Sequence, residues 1–156
     1  MSRKARAFWP VLLVLLVADC TSKRAAEIML APAGVPHEVV GDVVRFQLAY
    51  NVGAATGLTI GRHSRVVFSL MAVLAVAVLA RLYRQAARDD WRLALAVALI
   101  IGGALGNLLD RLRSPLGVVD FIDVGLGGLR FWTFNVADVG VTLGAGLLAA
   151  LVWRRG

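Results

Sequence analysis

Apolar and polar positions divide this chain into four long apolar runs and two mixed segments. The runs are read as spans at about 8–30, 66–82, 93–110 and 136–153. Three of them lie near the lower limit of roughly 17 residues needed to cross a bilayer. Between the first two, residues 31–65 change character. Pro32, Gly34 and Pro36 break any helix. Val44, Phe46, Leu48 and Tyr50 then alternate with Arg45, Gln47 and Ala49, the period of a half-buried strand. The segment NVGAATGL follows from Asn51, with glycines at Gly53 and Gly57, and predicts a flexible loop. The second mixed segment, 111–135, is read as a loop containing one strand-like piece, Val118 to Ile122. The expected architecture is a membrane all-α core of four transmembrane helices. A small extracytoplasmic β-sheet and the flexible outer loop complete a single domain over residues 1–156.

Composition supports this division. Apolar residues make up 59% of the 156 residues, well above an average soluble chain. The net charge of +7 raises nucleic acid as a partner. The cations sit at the ends of apolar runs, however, which fits membrane flanks and argues against nucleic-acid binding. A single cysteine, Cys20, excludes an intramolecular disulfide and reads as a small helix filler. Arg3, Lys4 and Arg6 ahead of an apolar stretch resemble a signal peptide, and Val17-Ala18-Asp19-Cys20 looks at first like a lipoprotein cleavage box. Asp19 stands where a small residue should precede the cysteine. The apolar character also continues through Ala25, Ala26, Ile28, Met29 and Leu30, so a retained first span is expected.

The short segments carrying the two termini and the 81–92 turn hold Arg3, Lys4, Arg6, Arg81, Arg84, Arg88, Arg92, Arg154 and Arg155. The longer opposite segments hold fewer cations per residue, among them Arg45, Arg62, Arg65 and Arg130. The positive-inside rule therefore predicts cytoplasmic termini, with 31–65 and 111–135 facing outward. Lys23 then lies about 22 Å up the first helix from Phe8, and Asp110 about 26 Å up the third from Leu93. Asp138 lies about 6 Å below Phe134. The polar residues of three helices thus share one depth, toward the outer leaflet.

Four aspartates in Gly102–Asp138 are candidates for chemistry: Asp110, Asp120, Asp123 and Asp138. Carboxylates at the edges of apolar segments are costly unless paired, hydrated or functional. Asp19, Lys23 and Glu27 form one helical stripe, read either as an internal ion-pair ladder or as the wall of a functional cavity. Asn107, Asp110 and Arg111 share a helix face, and Asp110 suits an ion pair bracing the helix end. Arg111 suits a carboxylate or backbone carbonyls. Asp138, with Asn135 three residues before it, suits either a helix cap or a catalytic role. Asp120, inside an apolar strand-like piece, has no capping explanation. Two carboxylates brought close share a proton and can activate water toward a carbonyl. A magnesium site built from the four aspartates is the competing arrangement. His37 and His63 lack zinc spacing, and Ser64, Ser69 and Ser114 lack a nucleophile-elbow context.

The motifs in order resemble those of the lipoprotein signal peptidases (signal peptidase II), aspartic membrane peptidases of bacteria. Asp19 to Lys23 resembles the DxxxK motif of the first helix, and Asn51 to Ala55 the NxGxA segment. Gly102 to Arg111 resembles GGxxGNxxDR. Val118-Val119-Asp120-Phe121 and Phe134-Asn135-Val136-Ala137-Asp138 resemble the VVDF and FNxAD boxes. The resemblance implies that Asp120 and Asp138 are the catalytic dyad. It implies that Asp19, Lys23, Asn51, Gly53, Asn107, Asp110, Arg111 and Asn135 bind substrate or shape the site, without metal or organic cofactor. It also implies a β-cradle and cleavage of diacylglyceryl-modified prolipoproteins just before the lipidated cysteine, at the outer face of the cytoplasmic membrane. Membrane lipids are the expected surroundings and a monomer the expected state. Three positions depart from the pattern: Cys20 stands for glutamine, Thr56 for phenylalanine and Trp132 for proline. The rival readings are a metal-dependent lipid phosphotransferase and a proton-coupled carrier.

Overall fold

A computed structural model describes residues 1–53, 61 and 63–154 of the chain. Of the flexible loop expected from Asn51 to Leu58, the part from residue 54 on, with Thr56, lies outside the described residues, as do 59–60, Arg62 and Arg155. The elements are α1 (Arg3–Met29), β1 (His37–Val40), β2 (Val44–Asn51), α2 (Ser64–Gln85), α3 (Trp91–Arg113), β3 (Val118–Leu126), β4 (Leu129–Arg130) and α4 (Val136–Trp153). All four helices are long and apolar enough to cross a membrane. The protein is a multi-pass membrane protein.

The helix ends are set by local chemistry. The Ser2 hydroxyl accepts from the Ala5 amide to start α1, and the Asp90 carboxylate accepts from Leu93 to start α3. Lys4 closes α2 from a distance: its Nζ donates to the carbonyls of Tyr83 at 2.9 Å and Ala86 at 2.6 Å, near the negative end of that helix. Phe8 stacks on Tyr83 beside this contact.

Helix α3 is the central post. It packs against α1, α4 and α2, whereas α2 lies at the edge of the bundle, buries only Ser64 among its described residues and meets α1 at Tyr83. Phe8, Leu12, Leu93, Ala94, Val97, Ala98 and Ile101 form the apolar core. That core occupies the half of the bundle that carries the termini; the polar residues of α1 and α3 take its place in the other half. Glycines bring α3 and α4 together, as close helix packing in a membrane requires. A Cβ on Gly103 would collide with the Ala137 carbonyl oxygen, and one on Gly144 would lie 2.8 Å from that of Ala96.

The four strands form one antiparallel sheet in the order β1-β2-β3-β4. The alternation over 44–50 does make a strand, but its apolar set does not share one buried face: only Leu48 is buried. A one-residue bulge in β2 between Phe46 and Ala49 is the reason. It shifts the pairing from Phe46↔Ile122 to Ala49↔Asp120, and such a slip exchanges the faces on which side chains lie. The segment expected as an outer loop contributes β3 and β4, so the sheet draws half its strands from after α3. Neighbouring strands distant in sequence leave no local signal.

Gly103→Ala should cost about 1–3 kcal/mol through overpacking at the α3–α4 contact. Gly146→Ala, where an added Cβ meets nothing, should be neutral or gain up to about 1 kcal/mol from helix propensity. Thermal unfolding of the two variants in detergent gives the comparison.

Candidate active site

The site begins with a buried ammonium. Lys23 Nζ lies 2.7 Å from Asp19 Oδ2 and 2.8 Å from Asp110 Oδ2, and donates to Asn107 Oδ1 at 2.9 Å. An ammonium has three donors, and these acceptors use them all. Asp19 is fully buried, because Gly106 leaves room for its carboxylate where a Cβ would clash. Its Oδ1 accepts from the Ala137 amide at 2.9 Å, tying α1 to the first turn of α4. Asp110 also accepts from the Val119 amide at 3.2 Å and so holds the start of β3. Asp110 does brace a helix end, but through Lys23 of another helix. The expected ladder stops at Lys23, because Glu27 pairs with exposed Arg24 at 3.3 Å.

Lys23 sets the next group. With its oxygen toward the cation, the Asn107 amide must point its nitrogen the other way, and Nδ2 donates to Asp138 Oδ1 at 2.8 Å. Asn135 reaches the same carboxylate. Its backbone amide donates to Asp138 Oδ2 at 3.2 Å, and its Oδ1 accepts from the Asp138 amide at 3.0 Å. This is a capping box at the start of α4. Asp138 is therefore a helix cap and a site carboxylate at once, and the two readings of it are not exclusive.

The Asn135 Nδ2 donates to Asp120 Oδ1 at 2.6 Å, so one asparagine binds both Asp120 and Asp138. The other Asp120 oxygen accepts from Asn51 Nδ2 at 3.1 Å. The Asn51 Oδ1 accepts from the Gly53 amide at 2.9 Å, and the Gly53 carbonyl accepts from Arg111 Nη2 at 2.8 Å. Arg111 returns to the Asn107 carbonyl at 3.3 Å. Arg111 thus takes backbone carbonyls from two segments in place of a carboxylate. Gly117, at φ +97°, lets the end of β2 approach; a Cβ there would strike the Asn51 carbonyl.

These contacts form a closed chain through Asp19, Lys23, Asn51, Gly53, Asn107, Asp110, Arg111, Asp120, Asn135 and Asp138. Asp123 stands apart, held by Arg130 Nη2 at 2.8 Å and Nε at 3.2 Å. The four-aspartate metal arrangement therefore does not assemble, and no group of three His, Cys, Asp or Glu among the described residues suits a metal ion. Sequence reasoning missed the backbone of Val119 and Ala137, which carry no side-chain signal. Asp138 opens onto an apolar cleft of about 300 Å³ lined also by Phe131, Trp132, Phe134, Val139, Thr142 and Leu143.

Asp120 is 3% exposed, and its donors are uncharged amides. Burial, reinforced by the charge of Asp138, pushes its carboxyl up to about 7, against the lowering effect of the Asn51 and Asn135 bonds. At neutral pH this is a carboxyl pair able to hold one proton between them.

Residues 11–154 match the family described as signal peptidase (SPase) II. The chain belongs to the signal peptidase II family. Similar relatives include the lipoprotein signal peptidase of Pseudomonas fluorescens, 42% identical over 95% of this chain and 88% of that one. The lipoprotein signal peptidase of Halothermothrix orenii is 36% identical over 93% of both chains. A solved structure described as a bacterial membrane enzyme, obtained by the in meso method, superposes with a TM-score of 0.82. It is 26% identical and covers 92% of this chain and 85% of that one. A signal peptidase II is an aspartic membrane peptidase, in keeping with two carboxyls at the end of a helical bundle.

Replacing Lys23 by Met would leave Asp19 and Asp110 without their cation. Breaking a buried ion pair from one side costs about 3–5 kcal/mol, which a lowered unfolding temperature in detergent would register. Asn51→Ala removes a bond that favours ionised Asp120, so the pair should keep its proton to higher pH. The basic limb of the kcat/KM profile, near pH 7 in the parent protein, should move upward.

Proposed function

We propose that this signal peptidase II removes the signal peptide of prolipoproteins by hydrolysing the bond before the S-diacylglyceryl cysteine. Asp120 and Asp138 form the catalytic dyad. The observation that carries this reading is the single residue Asn135, whose side chain and backbone donate to the two carboxylates. The names of the relatives supply the substrate class.

The environments separate the roles. Asp120, buried and bound only by amides, holds the proton. Asp138, in the first turn of α4 and only half-buried, is the carboxylate. A water held between them loses a proton to Asp138 as its oxygen bonds the scissile carbonyl carbon. The Asp120 proton passes to the carbonyl oxygen, leaving a tetrahedral diol. When the C–N bond breaks, the proton on Asp138 goes to the cysteine nitrogen. One diol hydroxyl returns its proton to Asp120, restoring the pair. Lys23 and Arg111 do not enter these transfers: they hold Asn107 and Gly53, and through them the carboxyls. Asp19 and Asp110 neutralise Lys23, and Asn51, Asn107 and Asn135 aim their amides at the dyad.

The enzyme lies in the bacterial cytoplasmic membrane with both termini in the cytoplasm, as the excess of arginine on that side supports. The site then faces the outer leaflet, where a diacylglyceryl group lies in lipid and the scissile bond at the interface. It acts as a monomer among membrane lipids.

Incubation of the purified protein with a lipidated preprolipoprotein should yield the cleaved product. Asp120→Asn and Asp138→Asn, each shown to be folded, should lose about 10²–10⁴-fold in turnover, the range of general acid–base catalysis. Near-normal turnover in either variant removes that residue from the dyad. Loss of activity on chelation would favour a lipid phosphotransferase, and transport in sealed vesicles without cleavage a carrier.

A further inference from the structure

The β3–β4 hairpin and the residues after it expose apolar side chains that make none of the contacts to the carboxyl pair. Leu126 is 72% exposed, Leu129 85%, Phe131 50% and Trp132 44%. A contiguous patch of this kind at a soluble surface marks an interaction site. Its tip is Gly127-Gly128, around which an added Cβ would meet nothing, so no polar side chain interrupts it.

The one charge in the Leu126–Trp132 apex is turned away. Arg130 lies between Leu129 and Phe131, and strand alternation sends it to the opposite face. There it binds the Asp123 carboxylate at 2.8 Å and the Asp42 carbonyl, while Asp42 also pairs with Arg45. The cluster neutralises the cation and leaves the apex uncharged.

The patch is also continuous with the exposed apolar face of the membrane-spanning helix α4. A cleft beside Leu126, Leu129 and Phe131 meets, at Phe131 and Phe134, the cleft along Val139, Thr142 and Leu143 of α4. Val139 is 40% and Leu143 61% exposed on a membrane-spanning helix. Trp132 stands at the junction with its ring centroid 3.7 Å from that of Phe131, and tryptophan favours the membrane–water boundary.

We propose that the β3–β4 hairpin inserts its Leu126–Trp132 apex into the lipid leaflet beside the outer end of α4, as an interfacial anchor. The continuity with α4 selects lipid over a protein partner. The anchor acts on the site through Phe134, whose backbone pairs with Ile122 of β3 and leads directly into Asn135. Holding the hairpin at the interface holds the carboxylates at a fixed depth.

The test places a nitroxide at Leu129→Cys in a Cys20→Ala background, with the full chain in phosphatidylcholine–phosphatidylglycerol vesicles. Glu38→Cys on β1 is the aqueous reference and Leu143→Cys the lipid reference. Relaxation by oxygen relative to a water-soluble nickel chelate should be several-fold higher at 129 than at 38, approaching that at 143. A ratio equal to that at 38, or protection from both relaxants as under a protein partner, overturns the proposal. As a check that needs no label, wild type and Trp132→Phe are compared in vesicles of phosphatidylcholine brominated near the carbonyl end. The fluorescence that disappears with Trp132 should be quenched by that lipid, and an unquenched signal overturns the proposal equally.

Discussion

A buried ammonium cannot stay in a bilayer without acceptors, and the half of the bundle away from the termini is arranged to supply them to Lys23. Two aspartates and one asparagine from two helices converge on it. Each acceptor holds something else. Asp19 fixes the first turn of α4, Asp110 fixes the start of β3, and Asn107 presents its amide to Asp138. One charge thereby sets the positions of the two segments that carry the carboxyl pair. Removing the cation would leave the same carboxylates buried and unopposed.

The site stands where the bundle ends and the sheet begins, and each half contributes one carboxyl. Asp138 comes from a helix start, where free amides and the helix dipole favour negative charge. Asp120 comes from a strand, buried among apolar neighbours that oppose its ionisation. Burial in the strand raises the proton affinity of Asp120. The bulge in β2 places Ala49 opposite Asp120, and Asn51 at the strand end donates to that carboxyl, partly offsetting the effect of burial. The Asp42–Arg45–Asp123–Arg130 cluster serves the sheet in another way. It gathers the charges on one side and leaves the apolar apex of the hairpin free.

Several of these features were legible in the chain itself. Long, mostly apolar runs specify four helices, because a chain in lipid must satisfy its backbone polar groups internally. The strand over Val44–Asn51 shows in its period, and Asp120 shows as a charge without a capping excuse. Other features were not legible. Glu27 shares a helical stripe with Asp19 and Lys23, yet it turns to Arg24, since stripe membership does not say which members face a neighbour. Asp123 has the same residue type as Asp120 and lies three positions on, but it belongs to a different cluster.

What the sequence determined by itself was a membrane bundle with its polar residues at a common depth, and a family whose motifs fall on those residues. Hydrophobic length and helix rise are local quantities, so they survive without coordinates. Only the tertiary structure decided that Asp110 answers to Lys23, that Arg111 takes backbone carbonyls, and that one asparagine touches both Asp120 and Asp138. Those outcomes depend on which faces of α1, α3 and α4 meet and on a one-residue slip between β2 and β3. Such relations join groups up to 118 positions apart along the chain, and no local pattern encodes them.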